Sequence, residues 1–118
     1  SMTPTFIEDK KRIAVLGSPG GSRIISMVLL AVLDFSKGYG PEFWVNSPRF
    51  HHQYMPDVIQ YEKGGMTNDE IKALSLLGHQ LKEVPYRYGN MQAVQLNKKT
   101  KQLSAASDPR GEGLALVR

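Results

Sequence analysis

The chain contains no cysteine, which removes disulfides, thiolate metal sites and thiol nucleophiles together. That absence suits the cytosol and a cysteine-free periplasmic protein equally. No apolar run reaches the roughly 18 residues that span a bilayer. The longest, residues 24–35, is interrupted by Ser26 and Asp34 and reads as a buried helix. Internal repeats and low-complexity linkers are also missing. The basic excess is small and dispersed, +4 over 118 residues. Lys10-Lys11-Arg12 and Lys98-Lys99-Thr100-Lys101 have the pattern of solvated hairpin tips. A nucleic-acid surface needs basic residues interleaved with aromatics on one face. Here the aromatics lie elsewhere, around residues 39–54 and at Tyr86 and Tyr88, so no nucleic-acid partner is expected.

What is present is ordinary globular composition, 41% apolar and 22% charged, sufficient for one modest domain over residues 1–118. Thr5–Glu8 and Arg12–Leu16 read as strands around the turn Asp9-Lys10-Lys11. From about Gly20 to Asp34 the period turns helical: Ile24, Ile25, Val28, Leu29, Val32 and Leu33 recur on one side, with Met27, Leu30 and Ala31 on the other. A helix apolar nearly all round is expected to be buried on most faces. Pro41 and Glu42 open a short second helix that Pro48 ends. Thr67, with Glu70 three residues on, predicts a capping box for a surface helix over 67–77 carrying an Ile71, Leu74 and Leu77 stripe, with Gly78 as its C-cap. Val58–Tyr61, Gln80–Val84, Met91–Leu96 and Gln102–Ala106 read as strands, the last two as a hairpin. Trp44, Phe43 and Phe50 read as core.

The chemistry concentrates in Gly17-Ser18-Pro19-Gly20-Gly21-Ser22-Arg23, a strand-to-helix turn. The first amides of a helix have no intrahelical partner, and glycines let a ligand approach them closely. A nucleotide phosphate loop is excluded by residue type, since Ser22-Arg23 stands where Lys and Ser or Thr would follow the last glycine. A tight turn that merely starts a helix and an oxyanion hole both fit. Spacing alone does not choose between them. His51-His52 does not read as a metal site, because adjacent residues point to opposite sides of an extended chain and no third ligand is near in sequence. His79 reads as structural.

The glycine-loop residues 17–25, Pro48-Arg49-Phe50-His51-His52-Gln53 with Pro56-Asp57, Ser107-Asp108-Pro109-Arg110, Gly78-His79 and Ser1-Met2-Thr3-Pro4-Thr5 together resemble the C-terminal region of gamma-glutamyltransferases, in the same order and almost end to end. The resemblance implies an α/β (α+β) fold, part of the four-layered αββα sandwich of N-terminal nucleophile hydrolases, with mainly antiparallel strands and two or three helices. It implies a self-cleaving precursor whose new N-terminal threonine attacks a gamma-glutamyl amide such as that of glutathione and passes the glutamyl group to water or to an amine. No cofactor and no metal are implied.

Carried over by position, Gly20 and Gly21 would form the oxyanion hole. Ser1 would match the second of two serines that hold the glutamyl α-carboxylate. Thr3, Thr5, Thr67 and Thr100 are the threonines present, and none stands in the nucleophile's context. The chain therefore resembles the C-terminal part of a small subunit, inactive alone. Its expected partners are the rest of that subunit, the large subunit and gamma-glutamyl compounds, with a tendency to pair with itself. The parent would be periplasmic or extracellular. A glutaryl or cephalosporin acylase of the same superfamily, and a non-catalytic binding module, are the alternatives.

Arg49 and Arg110 are expected to make fixed ion pairs holding loops near the site. Arg23 is a cation at a helix N-terminus, disfavoured there by about 0.3–1 kcal/mol. It is expected to find a carboxylate, with Asp108 as the candidate.

Overall fold

The computed structural model describes residues 3–118, so Ser1 lies outside the described residues. The chain divides into two compact units, residues 1–46 with 89–118 and residues 47–88.

The first unit is built on a four-stranded antiparallel sheet. Strands β1 (Thr5–Glu8), β2 (Arg12–Gly17), β6 (Gln92–Asn97) and β7 (Leu103–Ser107) lie side by side in that order. Asp9 makes the first turn: its carboxylate accepts from the amides of Lys11 and Arg12 at 2.8 and 2.7 Å. Asn97 makes the second by accepting from the amides of Lys99 and Thr100 at 3.0 Å each. Register sets the two faces. Ala14, Leu16, Ala93 and Ala106 are buried on one. The cross-strand row Phe6, Val15, Val94 and Ala105 lies on the other, where Phe6 is 73% exposed.

A 3-10 turn over Gly21–Arg23 runs into helix α1 (Ile24–Ser36), so the helix starts later than Gly20. Helix α2 (Pro41–Asn46) follows and packs on α1, β6 and β7. Ile24, Met27, Ala31 and Phe35 form the buried stripe of α1. The expectation that α1 is buried on most faces is not met: Ile25, Leu29 and Leu33 are exposed. The helix is apolar on two sides, and this unit covers one.

Trp44 is buried, its indole N–H donating to the Tyr39 carbonyl at 3.0 Å. Phe43 is not core; it lies at the surface, stacked on Tyr39 with ring centroids 3.9 Å apart. Arg12 is not part of a solvated tip either. Its guanidinium lies 4.0 Å over the Phe35 ring and donates to the carbonyls of Phe35 and Tyr39 and to Gln95. Two of those carbonyls belong to the end of α1 and the turn after it, where a cation is favoured.

In the second unit β3 (Phe50–His51) pairs antiparallel with β4 (Ile59–Tyr61), which pairs parallel with β5 (Leu81–Glu83). A parallel neighbour requires a crossover, and helix α3 (Asn68–Leu76) provides it. Both halves of the expected capping box form: Glu70 N–H donates to Thr67 Oγ1 at 3.1 Å, and Thr67 N–H to Glu70 Oε1 at 2.9 Å. Gly78 has the positive φ, +97, that ends such a helix. The stripe is narrower than expected, because Leu77 is exposed while Ile71 and Leu74 are half-buried. Phe50 is exposed rather than core.

Candidate oxyanion loop

Strand β2 ends at Gly17, and the chain turns through Ser18 and Pro19 into the glycine pair. Gly20 has φ 151 and ψ 14, and Gly21 has φ +59. Both are conformations that favour glycine. The 3-10 turn then closes, with the Arg23 amide donating to the Gly20 carbonyl at 3.1 Å and the Ile24 amide to Gly21. The turn thus uses the carbonyls of the two glycines and leaves their amides over. Among the described residues, neither the Gly20 nor the Gly21 amide donates a hydrogen bond.

Ser18 is fully buried. Its hydroxyl accepts from the Asn90 amide at 3.1 Å, donates to the Pro19 carbonyl at 2.9 Å, and lies 3.6 Å from the Met27 sulfur. Asn90 leads into β6, so this bond ties the glycine loop to a strand 72 residues away in sequence. The next residue is tied in turn: the Met91 amide donates to Asp108 Oδ2 at 2.8 Å. Asp108 Oδ1 accepts from the Arg110 amide at 2.9 Å and from its guanidinium at 3.0 Å. That guanidinium also donates to the Val45 carbonyl at the end of α2, at 2.8 Å. The side chains of this pair are 3% and 0% exposed, so the two charges must be matched to one another. Ser18, Asn90, Met91, Asp108 and Arg110 form one polar spine under the loop. Arg23 is half-buried at the N-cap of α1.

In the second unit Arg49 is buried and donates to the Tyr88 carbonyl at 2.6 Å. Glu62 is also buried and accepts from the amides of Arg49 and Tyr88, at 3.0 Å each. The two histidines diverge as expected for an extended chain. His51 is buried, with Nε2 2.8 Å from Gln53 Oε1, and the exposed His52 meets Asp57 at 2.6 Å. Among the described residues no group of three or more His, Asp or Glu side chains is placed to hold a metal.

Sequence reasoning passed over Ser18, Asn90 and Glu62. Nothing in the pattern marks the Ser18 hydroxyl as buried, and Glu62 looks like any surface acid.

The gamma-glutamyltranspeptidase family profile matches residues 1–117. The chain belongs to this family. It is 41% identical over 114 residues to the glutathione hydrolase proenzyme of Escherichia coli, covering 93% of this chain and 19% of that protein. The glutathione hydrolase proenzyme of Pseudomonas aeruginosa is 36% identical, over 99% of this chain and 21% of its own length. Among solved structures, the gamma-glutamyltranspeptidase of Helicobacter pylori, crystallised as a threonine-to-alanine mutant, superposes with a TM-score of 0.83 at 36% identity. That match covers 94% of this chain and 61% of the other. The chain thus spans about a fifth of the length of the curated relatives it matches. The two sheets and three α-helices of the described residues share the mixed α/β architecture of that solved structure.

Proposed function

We propose that this chain supplies the oxyanion-binding loop of a gamma-glutamyl transferase and hydrolase whose threonine nucleophile lies on a segment outside these residues. The observation that carries the proposal is the pair of consecutive amides at Gly20 and Gly21, without an acceptor among the described residues and at the head of α1.

The threonine hydroxyl adds to the gamma-carbonyl carbon and its proton passes to the threonine's own amino group. The carbonyl π pair moves to oxygen, and the alkoxide so formed faces the two N–H groups. Collapse breaks the C–N bond, the amine leaves with the proton, and a glutamyl ester remains. Water or an acceptor amine then attacks the ester, its proton passing to the threonine amine, and negative charge returns to the same two donors; collapse breaks the ester C–O bond, the threonine oxygen takes the proton back, and glutamate or a new gamma-glutamyl amide leaves. Their strength comes from being fixed before the charge appears; losing one such donor costs about 2.7–4 kcal/mol of barrier.

Ser1 would hold the glutamyl α-carboxylate with its hydroxyl. Asp108 with Arg110 holds the loop from beneath, Arg49 fixes the 47–88 unit, and Arg23 answers a carboxylate, with Asp108 the candidate. The remaining segments of the subunit pair are the partners that complete the site.

The test is an assay of the complete protein on a gamma-glutamyl anilide and a glutaryl anilide. Turnover of the first alone is expected, none by residues 1–118 alone, and none in a Gly21→Pro variant, which loses one N–H. A preference for the glutaryl substrate, or turnover by the isolated chain, overturns the proposal.

A further inference from the structure

We infer that Ser18 is a positioning residue for the oxyanion loop, setting the Gly20 and Gly21 amides through its bond to the Asn90 amide and its contact with Met27. The inference rests on the oxyanion role proposed above for the two glycines.

Ser18 is 0% exposed, and a buried hydroxyl is retained only where its bonds offset the cost of desolvation. It stands two residues before the first of the two amides. Its oxygen is the acceptor for Asn90 N–H at 3.1 Å. Asn90 is itself held by two further bonds. Its side-chain oxygen accepts from Gln92 at 2.9 Å, and the adjacent Met91 amide is fixed by the fully buried Asp108 carboxylate. The anchor at the far end of the Ser18 bond is therefore rigid. On the near side, the Met27 sulfur meets the Ser18 hydroxyl at 3.6 Å while the Met27 methyl abuts Gly20. One side chain from α1 thus touches both the anchor residue and the first glycine.

The glycines gain nothing in rigidity from side chains of their own. Glycine has the widest backbone freedom of any residue, yet an oxyanion hole works only if its donors stay within about 0.5 Å of the productive place. Ser18 and Met27 supply the restraint that the glycines cannot. Removing the hydroxyl leaves the Asn90 amide without its acceptor and takes away this tie between the loop and the sheet. A misplacement of about 1 Å can cost on the order of 100-fold in rate.

The experiment uses the complete protein carrying Ser18→Ala, assayed on a gamma-glutamyl anilide. The kcat should fall by about 10- to 100-fold, with KM changed less than about twofold. Affinity for a gamma-boronic acid analogue of glutamate, tetrahedral once the nucleophile adds, should fall with kcat, while affinity for glutamate stays unchanged. Phe35→Leu, a core change at the other end of α1, controls for lost stability and should keep kcat. If Ser18→Ala does not fold or mature, Ser18→Cys, similar in shape but a weak hydrogen-bonding group, takes the same measurements.

Unchanged kcat and boronate affinity in the folded variant overturn the inference, as does an equal kcat loss in Phe35→Leu. A crystal structure of the unaltered protein with the boronate separates the two levels. If the boronate oxygen sits away from the Gly20 and Gly21 amides, the oxyanion proposal falls and takes this one with it. If it sits on them and Ser18→Ala behaves as the unaltered protein, the Ser18 inference alone falls.

Discussion

The terminal methyl of Met27 lies 2.5 Å from the place a Cβ on Gly20 would take. Met27 is itself 1% exposed, so its methyl has little room to retreat. Gly20 is therefore required twice, by this contact and by its φ of 151, whereas at Gly21 only the φ of +59 matters and the space is open. Gly20→Ala should destabilise the protein by about 1–3 kcal/mol through backbone strain, with the clash added. Gly21→Ala should cost less. A double-mutant cycle of Gly20→Ala with Met27→Ala, followed by denaturant unfolding, should show coupling of about 0.5–3 kcal/mol if the methyl is the obstacle.

Arg12 binds the C-terminal end of α1 although it closes a run of basic residues. Its guanidinium is held by two carbonyls, Gln95 and the Phe35 ring. Arg12→Ala should lower stability by about 1.5–3 kcal/mol, the range for a hydrogen-bonded charged group. Lys10→Ala and Lys11→Ala should stay within about 0.5 kcal/mol. Thermal unfolding of the three variants separates them.

The Asp108–Arg110 pair is buried on both sides. Arg110→Ala takes a charged partner from a buried carboxylate and should cost about 3–5 kcal/mol. Arg110→Lys should not restore it fully, because an ammonium is more strongly hydrated than a guanidinium and costs more to bury beside Asp108. Equal unfolding midpoints for the Ala variant and the unaltered chain would contradict this.

Hydrogen bonds from the Thr67 backbone and hydroxyl lower the Glu70 carboxyl below its ordinary value. A lowered folded value means stability that is complete above the unfolded value and lost as pH falls through the folded one. The stability difference between the unaltered chain and Glu70→Gln should therefore shrink on acidification below about pH 4. Asp34 works in the opposite sense. Burial raises its carboxyl against a smaller pull from Lys37, so its ionisation costs stability that acid restores. Thr67→Ala should loosen α3 by about 1 kcal/mol. Hydrogen exchange of the first-turn amides of α3, followed against pH, reads the Glu70 and Thr67 effects.

Two apolar surfaces of the first unit, Ile25, Leu29 and Leu33 on α1 and Phe6 and Val94 on the outer sheet face, are exposed. Surfaces of this kind mark contacts with other protein. The isolated chain should self-associate in sedimentation at micromolar concentration. Leu29→Lys together with Phe6→Lys should reduce that association, and a monomer throughout would rule out these faces as contact surfaces in the isolated chain.

Much of the local structure was legible in the sequence. Strand β1, the onset of α2 at Pro41, the Thr67–Glu70 box and the hairpin over residues 97–101 follow from turn, cap and alternation signals that act within a few residues. Proline's fixed φ and a capping oxygen three residues from its donor need no distant partner. The glycine loop was visible as an amide-rich turn for the same reason. What the sequence left open was how that turn is held. Ser18 meets Asn90, 72 residues on, only because β2 pairs with β6 in one register. Arg12 reaches the end of α1 only once the sheet carries it there. Which apolar face of α1 is covered depends on what packs against it, and its nearly all-round hydrophobicity gave no preference. Local chemistry determined the elements and the two glycine amides, and long-range packing decided which buried polar groups hold them in place.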